Sequence, residues 1–495
     1  MRWEETLRSK GVSDSVIKTV SSNLHRITSG SHNVLLTPLG EKTDLDSLVE
    51  SFKSEVLGDM RELPDIMQEV ELAQLSKFGP RSIAKPWKER KEKTLQYFNY
   101  PWKDEVSYTP KTNGMLSPLS AENAILHLPN STSAGLPTMG KKSEHKDEVL
   151  KHLDEWLERE FPCMLFTRTQ EGGKTRDVFG EGFAQVLQES RFYRPYLKIA
   201  KALPWRKALL GPDEVDEGIT KLMRYAFSKG LTLTSVDFSA FDHSVGPSLQ
   251  TASFNLIKSY FPVRFWDEID LIATRFRTVG LVTPDGIWEG EHGVPSGSAF
   301  TNEIDSIAQY LCVRRFYEEA IEAPFQIQGD DGAYAVEEPD GLFNGFRQAG
   351  LSVNEEKSVI STTYISYLQR VYHEAFTDDF GIIRGAYPVS RALNRLVHLE
   401  RWTDLKNKGI TGVDFFNIRA IGILENCKHN PLFPKLVKFI LDRDKHQLKF
   451  SARGLAQYVR HVSDSGNREI VNQYSDDVKG LSSFSTVKLI GELIA

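Results

Sequence analysis

Cysteine is almost missing from this chain: Cys163, Cys312 and Cys427 stand far apart in 495 residues. No pair has zinc-site spacing and the count is odd. A disulfide framework and a structural zinc are excluded, and a reducing compartment is expected. No apolar run approaches the roughly 20 residues that cross a bilayer, so no membrane partner is expected. The opening residues, Met1-Arg2-Trp3-Glu4-Glu5, lack the apolar core of a secretory leader. A positive balance is missing too. Sixty-one Lys and Arg face 67 Asp and Glu, a net charge of −6. Bulk charge therefore gives no pointer to nucleic acid, and only its distribution can. There is no internal repeat and no low-complexity tail. What remains is an ordinary globular composition, 40% hydrophobic and 26% charged, long enough for several subdomains.

The distribution of charge is uneven. Residues 161–210 carry nine basic side chains against four acidic ones, a local balance of +5. Gly172-Gly173-Lys174-Thr175-Arg176 is the centre of this stretch. In a strand, Lys174 and Arg176 project to one face. A guanidinium fork beside an ammonium suits a triphosphate, and an exposed basic strand is the equal alternative. The shorter run Lys85 to Lys93 reads as a solvated face or a backbone-contacting edge.

Residues 1–75 read as helical, with Leu45, Leu48, Val49, Phe52, Val56 and Leu57 on one face. Residues 108–140 are loop-rich. Leu231 to Val236 reads as a strand running into Asp237-Phe238-Ser239-Ala240-Phe241-Asp242. Asp242 lies past a turn, so the two acids should have different tasks. Gly293-Val294-Pro295-Ser296-Gly297-Ser298 is a loop that opens a helix, with Ile304, Ile307 and Leu311 on its apolar face. Phe325 to Val336 reads as a half-buried hairpin turned by Gly329, Asp330, Asp331 and Gly332. Adjacent carboxylates at a hairpin tip repel unless a cation sits there. Alone, the tip reads better as an ordinary solvated turn. The helical pattern returns after about residue 385, with Val413 to Leu424 and Pro431 to Leu441 the better candidates. Val487 to Ala495 is too apolar to lie free, so it docks on the body or plugs a cavity.

Together these pieces are a strand ending in an acid, a Ser-Gly loop with its helix, and an acid-tipped hairpin. Acids so assembled can hold two metal ions about 3.5–4 Å apart for in-line phosphoryl transfer, and magnesium prefers such ligands.

The order resembles the palm of viral RNA-dependent RNA polymerases. Val236 to Asp242 is similar to motif A, Ser296 to Thr301 to motif B, and Gly329-Asp330-Asp331 to motif C. Lys174-Thr175-Arg176 resembles motif F and Ser133-Ala134-Gly135-Leu136-Pro137 motif G. Asn354 to Lys357 sits where motif D would, and Tyr367 to Arg370 where motif E would. Asp237, Ser296 and Asp330 follow at intervals of 59 and 34 residues. The wording of the Gly293 to Thr301 loop is closest to double-stranded RNA viruses of the picobirnavirus and partitivirus lineage.

The resemblance implies roles. Asp237 and Asp330 bind both catalytic metals, magnesium with manganese able to substitute, and Asp331 assists. Asp242 senses the ribose 2′-hydroxyl. Ser296 and Gly297 form a mobile loop, Thr301 checks the sugar beside Asn302, Lys174 and Arg176 hold the triphosphate, and Lys357 protonates departing pyrophosphate. One departure stands out. Many positive-strand viral polymerases have Asn four residues after the motif B threonine, and here that residue is Asp305. Asp242 and Asp305 would repel unless one is protonated or bridged.

The implied fold is an α+β closed right hand, with fingertips contacting the thumb and an RNA-recognition-motif-like antiparallel palm sheet. Residues 1–75 would be a bridging segment, 76–200 and 251–289 fingers, 201–250 and 290–384 palm, and 385–495 thumb and tail. The implied reaction adds ribonucleoside triphosphates to RNA on an RNA template, without a primer. The implied partners are template, product duplex and a viral capsid protein, within a particle in the host cytoplasm. Two rivals stay open: a reverse transcriptase and a non-catalytic RNA-binding scaffold. The first is disfavoured by Gln328, where that family has an aromatic residue.

Overall fold

The computed structural model describes residues 3–406, 409–464, 481 and 483–495. The expected thumb segment is therefore described without 407–408, 465–480 and 482. The chain divides into two compact units. The first comprises residues 1–30, 86–168 and 177–367, and the second residues 31–85, 169–176 and 368–495.

The strands, in chain order, are β1 (Cys163–Thr169), β2 (Thr175–Gly180), β3 (Thr232–Val236), β4 (Leu281–Thr283), β5 (Gly286–Trp288), β6 (Gln326–Gln328), β7 (Asp331–Val336), β8 (Val359–Ser361), β9 (Tyr364–Tyr367) and β10 (Arg370–His373). In the first unit, one sheet has the order β6-β7-β3-β8. It is antiparallel throughout, with Val236 opposite Gly332, Gln328 opposite Asp331 and Ser235 opposite Val359. The other sheet has the order β2-β1-β4-β5.

Strands β3 and β6 are not half-buried. Leu233, Thr234, Ser235 and Val236 are all buried, as are Phe325, Gln326 and Ile327. The expected alternation of β6 fails because helices cover both of its faces. Gln326 is buried but satisfied, donating to the Pro204 carbonyl at 3.0 Å and accepting from the Lys207 N–H at 3.3 Å. The turn is also shorter than expected. Gly329, at φ 64°, and Asp330 make it alone, so Asp331 and Gly332 already lie on β7.

The helix Thr301–Phe316 backs this sheet, with Ile304, Ile307 and Leu311 in the main core beside Phe254, Phe300 and Tyr334. The basic run at 85–93 is not a plain solvated face. It opens the helix Trp87–Asn99, whose Arg90 is buried and donates to Asp177 at 2.8 Å and to Thr167 at 2.7 Å. A charge run reads as solvated only if all of its positions face water, and Arg90 faces inward.

The second unit is mostly helical. Leu48, Phe52, Val56 and Leu57 form the expected apolar face, and Phe52 packs edge-on against Phe439 at 5.6 Å. Buried Glu71 accepts from the Val389 and Ser390 N–H groups, each at 2.8 Å, and so caps the helix Val389–Val397. Helices Gly412–Glu425 and Phe433–Arg443 stand where periodicity puts them. The last helix, Ser485–Ile494, packs on those two, and Glu425 accepts from the Thr486 N–H at 2.9 Å. The apolar tail is thus docked. No helix among the described residues is long and apolar enough to cross a membrane.

Candidate active site

Strand β3 brings the first acid. Its register with β7 ends at Val236 opposite Gly332. One further residue along that register sets Asp237 abreast of Asp331, on the same side of an antiparallel pair, with Asp330 at the adjoining turn. Asp330 is exposed, and Asp237 and Asp331 are half-buried. The Asp237 backbone is pinned on both sides by the segment expected as motif D and the residue after it. Its N–H donates to Ser358 Oγ at 3.0 Å, and its carbonyl accepts from the Asn354 N–H at 2.8 Å. Lys357 lies on the turn between those two residues, with its side chain exposed.

The hairpin tip is held from below by two residues the sequence reading passed over. Ser306 Oγ accepts from the Gly329 N–H at 2.8 Å. Gln309 Nε2 donates to the Gly329 carbonyl at 3.1 Å, and its Oε1 accepts from buried Tyr334 at 2.6 Å. Both lie on the helix Thr301–Phe316. Periodicity gave no signal for them: Ile304, Ile307 and Leu311 mark the apolar face, and Ser306 and Gln309 lie off it yet are buried.

Asp242 lies in the short helix Phe241–Ser244, entered through Ala240 at φ 52°. Its carbonyl accepts from the Val294 N–H at 2.7 Å, which ties the start of the 293–301 loop to it. In that loop, Ser296 Oγ donates to the Asp177 carbonyl at 3.4 Å and accepts from the Phe179 N–H at 3.3 Å. Ser296 therefore does not cap the helix. Gly297 lies so close to the Phe179 carbonyl that a Cβ there would collide with it. The Thr301 hydroxyl is committed to the carbonyls of Pro295 at 2.7 Å and Ser298 at 3.0 Å. Asn302 lies with its side-chain oxygen beside Gly329.

Asp305 ties these parts together. It is 5% exposed, and its Oδ1 has no hydrogen-bond partner among the described residues. Burial, and then the carboxylates of Asp242 and Asp330, push its pKa well above the ordinary range. Protonation of Asp305 would relieve the expected repulsion with Asp242, and burial and the two carboxylates favour it.

Lys174 and Arg176 belong to the second unit. Both are exposed and flank buried Thr175, so they share a face as expected, although β2 begins only at Thr175. Their loop is anchored at both ends. Arg81 pairs with Glu171 at 3.0 Å, and Thr175 Oγ1 accepts from the Lys85 N–H at 2.9 Å. Burial raises the Glu171 pKa, but its own backbone N–H and then Arg81, Arg391 and Arg395 outweigh it and leave it lowered.

Two crystal structures of the RNA-dependent RNA polymerase of a human picobirnavirus, one an insertion-loop deletion mutant, match at a TM-score of 0.80 and 22% identity. The match covers 97% of this chain and 99% of each of theirs. The fold is that of a right-hand polymerase.

The family model for viral RNA-dependent RNA polymerase matches residues 104–428. The potential RNA-dependent RNA polymerase of human picobirnavirus is 25% identical over 465 residues, 86% of this chain and 85% of its own. The RNA-directed RNA polymerase of Cryptosporidium parvum virus 1 is 26% identical over 318 residues, 57% of each chain. The chain belongs to the viral RNA-dependent RNA polymerases, in the company of those from double-stranded RNA viruses. Its substrates are RNA and nucleotides, and polymerases of this family use divalent metal ions.

Proposed function

We propose that Asp237 and Asp330, assisted by Asp331, hold two magnesium ions for nucleotidyl transfer, with manganese able to substitute. The observation that supports this most is the β3–β7 register, which sets Asp237 beside the Asp330-Asp331 tip. The donor set fits: three accessible carboxylates offer only hard oxygen ligands. When bound, the ions lower the pKa of the attacking 3′-hydroxyl and stabilise charge on the leaving pyrophosphate. The protein's own groups do the rest. Lys174 and Arg176 grip the triphosphate. Ser296 and Gly297 position template and nucleotide, Thr301 helps check the sugar, and Asn302 beside it binds nucleotide. Asp242 accepts from the ribose 2′-hydroxyl, and Lys357 gives a proton to pyrophosphate as it departs.

In this reading residues 76–200 and 251–289 are fingers, 201–250 and 290–384 palm, 385–495 thumb, and 1–75 a bridging segment. Synthesis starts without a primer and serves both replication and transcription of a double-stranded RNA genome. It takes place inside a particle in the host cytoplasm, against a capsid protein and on no membrane. The test is direct. The purified protein, given single-stranded RNA, four ribonucleoside triphosphates and magnesium but no primer, is expected to make template-length RNA. Dependence on an added primer overturns the initiation mode, and equal use of deoxynucleotides overturns the sugar check.

Asp305→Asn separates sugar selection from metal binding. Asparagine matches the neutral carboxylic acid in size and keeps a donor, so synthesis is expected to stay within about threefold of wild type. Asp305→Ala removes the donor and is expected to narrow ribose-over-deoxyribose preference by about tenfold, read from competing incorporation.

A further inference from the structure

Beneath the 293–301 loop lies a buried acid pair that the chemistry above does not use. Glu189, on the helix Phe183–Ala202, is fully buried. Its Oε2 accepts twice, from the Ser298 hydroxyl at 2.8 Å and from the Ala299 N–H at 2.8 Å. Its Oε1 accepts from Gln185 at 3.3 Å. Beside it is Glu181, 4% exposed, which as an ionised carboxylate would have neither oxygen partnered. As an acid, Glu181 would donate one bond to Glu189, and burial and then the Glu189 charge favour that form by raising its pKa well above the usual range. Facing Glu181 is Lys142, 7% exposed, which donates to Thr132 Oγ1 at 3.0 Å and lies over the Phe183 ring at 5.8 Å. The pair in turn acts on the buried Cys163 thiol, whose pKa burial and then Glu181 and Glu189 push up.

We propose that Glu189 is a positioning residue for nucleotide addition: its carboxylate pins the Ser298–Ala299 end of the loop whose Ser296–Gly297 end rests on Phe179. The inference rests on reading that loop as the nucleotide-positioning one. Three buried ionisable groups are neutral overall when Lys142 is cationic, Glu181 is protonated and Glu189 is anionic. Burial raises Glu189 to about 7, opposed by its bonds from Ala299, Ser298 and Gln185. Burial lowers Lys142 to about 8, opposed by Glu181. The pinned state therefore holds above about pH 7, where Glu189 is anionic. As pH falls through 7, the Glu189 carboxylate is lost and two charge-assisted bonds weaken to neutral ones. The same cluster reaches Thr132, the residue just before the segment expected as motif G, through Lys142.

The experiment measures KM and kcat for nucleotide on an RNA template with the full chain from pH 6 to 8, for wild type, Glu189→Gln, Ser298→Ala and Asp330→Asn. Glutamine mimics the protonated state. Glu189→Gln is expected to raise KM about five- to tenfold at pH 7.5 with kcat nearly unchanged, and to converge with wild type at pH 6. Ser298→Ala removes one bond without changing charge, is expected to raise KM about threefold, and serves alone if the first variant does not fold. Equal KM across pH for wild type and Glu189→Gln, or wild-type KM for Ser298→Ala, overturns the inference. Retained synthesis by Asp330→Asn overturns the underlying reading instead.

Discussion

Asp330→Asn is expected to lose RNA synthesis by at least about a thousandfold, while RNA binding stays within about twofold of wild type. The substitution keeps the size of the side chain and removes one negative charge from an exposed turn. It leaves the tip's supports untouched, because Ser306 and Gln309 hold the backbone of Gly329 rather than the Asp330 side chain. Thermal stability should therefore hold. Asp237→Asn should behave alike, because β3 fixes its position through backbone bonds to Ser358 and Asn354. Loss of synthesis together with loss of RNA binding or folding would mean that the acids are structural. Unchanged synthesis would remove them from the chemistry altogether. Product measurements with primer-free single-stranded RNA, and filter binding at fixed salt, decide between these outcomes.

What could be read from the residues divides along a physical line. Asp237, Asp330 and the Ser296–Gly297 loop were legible because each lies at an element boundary, where turn residues and an acid stand together in sequence. The supports were not. Ser306 and Gln309 are polar residues on a helix, which periodicity assigns to the solvent side, yet both are buried. Arg90 was hidden within a run of charge. Glu189 meets Ser298 across 109 positions, a distance over which local pattern carries no information. The half-buried reading of β6 failed for a related reason. Strand alternation reports one covered face, and here helices cover both.

The largest stability effect is expected at Arg206→Met. Arg206 and Glu303 both have side chains with no exposure, paired through two bonds at 2.8 and 2.9 Å. Arg206 Nη2 also reaches Gln328 Oε1 at 3.3 Å, two residues before Asp330. Glu303 lies two residues after Thr301, so one guanidinium joins the start of the 301–316 helix to the strand leading into the acid tip. Taking one ion from a buried pair leaves the other charged without water, which costs about 3–5 kcal/mol. Replacing both by apolar residues removes that cost. The double variant Arg206→Met, Glu303→Leu is therefore expected to melt well above Arg206→Met alone, a non-additivity that a double-mutant cycle reads directly. Gln328 still loses its partner in the double variant, so kcat is expected to stay depressed by about tenfold although stability returns. If stability and kcat recover together, the pair serves only the core. If stability returns without kcat, Arg206 also aligns the hairpin that presents Asp330 to the nucleotide.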